Sequence, residues 1–317
     1  MDRFADLVNF ISRVTGESSP EPVIVSGDAS FRKYYRYGDR IYVDAPPATE
    51  KNREFVELSS VYNRYGIPVP KVYEADLQNG YLCVEDLGDV MFSSRLNDSN
   101  SMHEMYLKAT DLLLKIASVS EKFTPFDEEF IRREDQIFID WYLDAHLGRK
   151  LIGSDEKVWN QTVGQLVDNC LAQPQVAMHR DFHCRNIMIR QDGSLALVDF
   201  QDTVTGPVTY DLVSLIKDCY ITLDPELRNE VIRYAFDGYS SMGILKNKSL
   251  EEFEFFLDLT GMQRHLKAIG IFCRLLHRDG KDGYLQYLPR TFDYVREVSS
   301  KYSVLGDFKI LLEDRLL

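Results

Sequence analysis

The residues able to do chemistry crowd into one short stretch of the 317-residue chain. It begins Met178-His179-Arg180-Asp181-Phe182-His183-Cys184-Arg185-Asn186 and continues through residues 187–190 to Asp192-Gly193. It returns through the apolar run 195–198 to Asp199-Phe200. An Asp-Gly pair between two such runs is a strong hairpin signal. The hairpin sets Asn186 and Asp199 on neighbouring strand ends, beside a third oxygen-bearing side chain, Asp181. A few oxygen ligands suit a hard cation such as Mg2+, which fills its remaining positions with phosphate oxygens and water. A carboxylate beside them can orient an attacking hydroxyl and accept its proton. Phosphoryl transfer from ATP needs such a set, because the protein's main contribution is positioning and charge neutralisation. On this reading Asp181 is the base, and Asn186 and Asp199 hold Mg2+. The rival reading takes His179, Asp181 and His183 as the ligands of a metal hydrolase. It leaves Asn186 and Asp199 without roles, and His265 and His277 lie far off in helical segments.

The elements that must position these residues fall into two groups. A short amphipathic helix over 2–14, with Phe4, Leu7, Val8 and Ile11 on one face, is broken by Pro20 and Pro22. Strands follow at 22–25, 31–37 and Arg40–Asp44, the last two joined at Gly38-Asp39. A helix over 50–65 stops at Gly66. Strands at 69–75 and Tyr81–Glu85 turn at Asn79-Gly80. Beyond Gly88, helical spacing dominates, over 101–118, 127–147, 155–171, 210–220, 225–240, 250–276 and 289–301. The β-rich island 175–200, which carries the chemistry, interrupts these helices. The predicted class is therefore α+β, with a small β-rich lobe at 1–87 and a larger helical lobe at 88–317.

The catalytic stretch resembles that of the aminoglycoside phosphotransferase-like kinases, a branch of the protein-kinase-like two-lobe fold. The pattern H-x-D-x-x-x-x-N followed by a hairpin-end Asp is shared with protein kinases. Three details favour the small-molecule branch. His183 stands where serine/threonine protein kinases usually carry Lys. Gln201-Asp202, not Gly, follows Asp199-Phe200. Thr209-Tyr210-Asp211-Leu212 comes quickly after, with no Ala-Pro-Glu. Further stretches, Gly27-Asp28-Ala29-Ser30-Phe31-Arg32, Val43-Asp44-Ala45-Pro46-Pro47, Glu85-Asp86-Leu87-Gly88-Asp89 and Gln263-Arg264-His265-Leu266-Lys267 among them, are similar to bacterial anomeric kinases of N-acetylmuramate and N-acetylglucosamine. The resemblance implies ATP-dependent phosphorylation of the sugar 1-hydroxyl, in cell-wall sugar recycling.

It also implies where ATP and sugar bind. The loop through Ala29, Ser30, Phe31 and Arg32 covers the phosphates, although it is poor in glycine. Backbone groups near Glu85 and Leu87 receive adenine. The third strand, Arg40–Asp44, lacks the usual phosphate-binding lysine. Arg32, Lys33 or Arg36 must supply that charge, with Arg32 favoured and Glu54 its acidic partner. Asp202, three residues past Asp199, is a candidate for sugar hydroxyls. Arg264 and Lys267, i,i+3 neighbours on one helix, are candidates for the lactyl carboxylate of N-acetylmuramate. An aminoglycoside or other small-molecule phosphotransferase shares the catalytic residues. A regulatory pseudokinase is suggested only by the missing lysine.

Composition narrows the partners. Lys and Arg number 37 against 50 Asp and Glu, a net charge of −13, which repels nucleic acid. Five cysteines without CxxC spacing argue against a zinc cage or disulfide framework and point to a reducing compartment. No run has the length or apolarity of a membrane span or a signal peptide, so the expected location is the cytoplasm.

Overall fold

The computed structural model describes residues 2–26, 31–96 and 99–316. Its contacts divide the chain into two compact units. The first is Met1–Asp98 with Arg185–Thr203, and the second is Ser99–Cys184 with Val204–Leu317.

The first unit opens with α1 (Arg3–Thr15), capped by Asp2 at its start and by Gly16, at φ +77°, at its end. Five antiparallel strands follow: β1 (Val23–Ser26), β2 (Lys33–Tyr37), β3 (Arg40–Asp44), β4 (Val72–Asp76) and β5 (Tyr81–Glu85). Their order in the sheet is β1-β2-β3-β5-β4. Leu7, Phe10 and Ile11 of α1 pack on Tyr35, Tyr42, Tyr81 and Cys83 of the sheet. Phe4, assigned to that face from the sequence, is exposed, and Phe10 takes the inward place. Helix α2 (Asn52–Arg64) follows β3. The hairpin of β7 (Ile187–Ile189) and β8 (Leu195–Leu197) belongs to this unit, with Ile187 opposite Leu197. Its amides at Leu197 and Ile189 donate to Pro68 and Val90 carbonyls at 2.8 Å each.

The second unit holds α3 (Ser99–Ala117), α4 (Glu128–Ile137), α5 (Ser154–Leu171), α6 (Tyr210–Ile216), α7 (Pro225–Ser241), α8 (Leu250–Asp279), α9 (Leu288–Lys301) and α10 (Gly306–Leu311). A two-stranded ribbon pairs β6 (Gln175–Met178) with β9 (Val204–Pro207). Helix α8 runs through the core, burying Leu259, Met262, Leu266, Ile269 and Cys273.

Three sequence expectations change here. The helix expected over 127–147 continues past Ile137 as a π-helical segment, Phe138–His146. Gly270 of α8 lies against that junction, where a Cβ would come within 2.4 Å of the Ile137 carbonyl oxygen. Only glycine permits so close an approach. The helix expected over 210–220 stops at Ile216. Asp218 then accepts from the amides of Cys184 and Tyr220 at 3.0 and 2.8 Å. Strand β9 was not expected, because Gly206-Pro207 reads as a breaker. Among the described residues no helix is long and apolar enough to cross a membrane.

Candidate active site

The residues singled out in the sequence fall in both units. Asn186 and Asp199 lie in the first, Asn186 immediately before β7 and Asp199 two residues after β8. The Val198 amide donates to the Asn186 carbonyl at 3.0 Å, which brings the two ends together. Asp199 has φ +61°, in the left-handed region, and accepts from Gln201 Nε2 at 2.6 Å. Phe200, next in sequence, is buried and packs on Phe55 and Tyr62 of α2, with ring centroids 4.8 and 6.0 Å apart. The loop carrying Asp199 is thus anchored to α2.

Arg32 is also in this unit and only 3% exposed. Its Nε lies 2.8 Å from Glu50, and its guanidinium stands over the Phe55 ring. Glu50, not Glu54, is the acidic partner; Glu54 is exposed on α2. Burial pushes the Tyr34 phenol pKa up, Arg32 pulls it down, and Asp199 and Glu50 push it up again. All three charges therefore act at one place. Phe31 is 71% exposed, while Ala29 and Ser30 lie outside the described residues. Asp202 forms an ion pair with Lys51 at 2.5 Å. Glu85 pairs with Arg190, and Leu87 is buried. Arg36 is held by Asp86 and Asp89 at 2.5 and 2.7 Å, so it braces the segment after β5.

Asp181 lies in the second unit, on the loop after β6. Arg180, just before it, adopts φ +76°, a strained conformation for a side chain of its size. Several contacts hold it there. Asp211 accepts from the amides of His179 and Arg180 at 2.6 and 2.9 Å. The Arg180 guanidinium reaches Glu134 at 2.7 Å and stands over the Phe130 ring. Burial pushes Asp211's carboxyl pKa up, to about 6, against the pull of His179 and the two amides. His179 is fully buried, edge-on to Phe182, a packing role that the metal-hydrolase reading does not account for.

Lys267 and Arg264 of α8 are buried rather than forming a solvated face, at 7% and 6% exposure. Lys267 lies 2.9 Å from Glu134 and donates to the Tyr210 hydroxyl at 3.2 Å. Arg264 lies 4.0 Å from Cys219 Sγ. Burial alone would raise the Asp181 pKa. The charges around it, Lys267 foremost and then His183, Arg264 and Arg180, instead hold it well below the usual carboxylate range. Asp181 is therefore an ionised carboxylate at neutral pH. Glu134, which ties Arg180 to Lys267, is the site residue that the sequence did not disclose. Its acidic neighbours in Glu128-Glu129 disguise it as part of a solvated helix face.

A five-stranded sheet with a following helix, a helical unit, and a loop-hairpin bearing Asp181, Asn186 and Asp199 define a kinase-like phosphotransferase. The phosphotransferase enzyme family model matches residues 23–245, and the chain belongs to that family. It is 38% identical to the N-acetylmuramate/N-acetylglucosamine kinase of Pseudomonas aeruginosa, over 96% of this chain and 91% of that protein. It is 34% identical to the protein of the same name from Neisseria meningitidis serogroup B, over 98% and 96%. Among solved structures, the ADP-bound aminoglycoside phosphotransferase APH(2'')-Ib has a TM-score of 0.64 at 10% identity, covering 94% of this chain and 99% of that one. The choline kinase LicA from Streptococcus pneumoniae has a TM-score of 0.63 at 14% identity, covering 95% and 100%. These structures share the fold.

Proposed function

We propose that this protein transfers the γ-phosphoryl group of ATP to the anomeric hydroxyl of N-acetylmuramate, N-acetylglucosamine or both. The observation that carries the reading is Asp181, an ionised carboxylate on a strained, multiply anchored loop. Such a group orients the acceptor hydroxyl and takes its proton as phosphoryl transfer completes. The names of relatives aligned over nearly the whole chain supply the sugar class.

The remaining residues take roles consistent with their surroundings. Asn186 and Asp199 would hold Mg2+; both offer oxygen, and the hairpin fixes their backbones side by side. The ion, when bound, neutralises charge on the phosphates. Arg32, oriented by Glu50, supplies the cation that third-strand lysines supply elsewhere. Ala29 and Ser30, outside the described residues, and Phe31 are assigned to the ATP phosphates, and backbone near Glu85 and Leu87 to adenine. Asp202 accepts from sugar hydroxyls. Arg264 and Lys267 keep Asp181 charged and make its surroundings favourable to an anionic acceptor.

Two substitutions test the division of labour. Asp181→Asn abolishes turnover, by about 10³-fold or more, and leaves Mg-ATP binding near wild type in a calorimetric titration. Asp199→Asn abolishes turnover and weakens Mg-ATP binding. An active Asp181→Asn variant would remove the base assignment.

A further inference from the structure

Helix α8 carries a line of cations. At about 100° per residue, Arg264, Lys267, Arg274 and Arg278 fall within an arc of roughly 80° on one face. Lys267 is paired with Glu134 at 2.9 Å and Arg278 with Asp279 at 2.8 Å, while Arg264 is buried beside Cys219. Arg274 differs from all of them. Its Nε is buried without a hydrogen-bond partner, and among the described residues its guanidinium forms no ion pair. The charged groups facing it are Arg278 and Asp279, and Asp279 is already engaged by Arg278. Burial and the neighbouring Arg278 both work against its charge. A half-buried guanidinium with idle donors costs stability unless an anion completes it.

Position indicates which anion. Arg274 stands two helical turns, about 10 Å, from Lys267 on the same face. Lys267 is the cation that acts most strongly on Asp181. A hexose whose reacting hydroxyl sits at Asp181 reaches along that face with its far substituents. The two sugars named for the relatives differ by one group: N-acetylmuramate bears a lactyl carboxylate where N-acetylglucosamine bears a hydroxyl. A planar guanidinium with free N–H donors fits a carboxylate in two-point contact. Of the cations on this face, Arg274 is, among the described residues, the one with neither an ion pair nor a hydrogen bond; Arg264 has the long contact to the Cys219 thiol, and Asp181 and Asp218 act on its charge.

We propose that Arg274 binds the lactyl carboxylate of N-acetylmuramate and thereby sets the preference between the acidic and the neutral sugar. The proposal rests on the reading of Asp181 as the group that meets the acceptor hydroxyl.

The test is the ratio of kcat/KM on N-acetylmuramate to that on N-acetylglucosamine. Arg274→Met keeps the apolar stem, removes the guanidinium, and lowers this ratio about 10- to 100-fold, as for a lost charged hydrogen bond. Arg274→Lys lowers it less. Wild-type protein given the methyl ester of N-acetylmuramate shows the same loss with the fold untouched. A ratio unchanged in Arg274→Met, with the acid and its ester used equally well, overturns the proposal while leaving the sugar-kinase reading intact. So does wild-type protein that uses N-acetylglucosamine and ignores N-acetylmuramate. Failure to phosphorylate either sugar overturns the sugar-kinase reading itself, and this proposal with it.

Discussion

Arg32 stands 2.8 Å from Glu50 and shares the Tyr34 phenol with Asp199 as a common electrostatic neighbour. A guanidinium fixed on one side by a carboxylate keeps its other donors oriented, which suits a bidentate hold on phosphate. Arg32→Ala therefore raises the KM for ATP at least about tenfold and lowers kcat, with sugar KM little changed. Glu50→Gln shifts the same parameters in the same direction by a smaller factor. Steady-state kinetics on both variants check this. A silent Arg32→Ala beside a crippled Lys33→Ala would move the role to Lys33. The sequence pointed to Arg32 by strand position but to the wrong acid. Glu54 lies inside α2 by helical spacing, whereas Glu50 precedes the helix and meets Arg32 only through the fold. Spacing along a chain cannot reveal such a pair.

Between elements, Glu134 of α4 joins Lys267 of α8 to Arg180 of the loop after β6. Burial raises the carboxyl pKa of Glu134, and the two cations more than reverse this, so its folded value lies below the usual range. A depressed folded pKa contributes stability above the unfolded value of about 4.3, and that stability is lost as pH falls through the folded value. Glu134→Gln leaves two buried cations without their acid and costs roughly 3–5 kcal/mol at neutral pH. Its deficit against wild type narrows as pH drops below about 4.3. Urea unfolding of both proteins near neutrality and in acid measures this. A deficit constant across that range would mean that packing, not charge, sets the effect. The β7–β8 hairpin was legible at this scale because Asp192-Gly193 fixes its turn and apolar runs fix its strands. The π-helical segment after α4 was not legible. It begins where Gly270, more than a hundred residues downstream, packs against the Ile137 backbone, a juxtaposition no local pattern carries.

At the scale of the whole chain, the order of a β-rich region and then helices could be read from periodicity. The grouping of residues 185–203 with the first unit could not, because it depends on bonds from the hairpin to Pro68 and Val90. Asp181, Asn186 and Asp199 stood out in the sequence because the chemistry proposed for them demands particular residue types at fixed spacing. Arg264 and Lys267 were picked out as substrate candidates, but their burial could not be read from the sequence, since burial of charged residues depends on partners from other elements. The central claim, ATP-dependent phosphorylation at the sugar's anomeric position, has one direct test. The protein is incubated with ATP, Mg2+ and each sugar, with kanamycin and choline as parallel acceptors, and the product is read by phosphorus-31 NMR. The account predicts a sugar phosphate whose phosphorus couples to the anomeric proton, absent when Asp181→Asn replaces the wild type. An ester at another carbon, or phosphorylation of kanamycin or choline with neither sugar consumed, would contradict it.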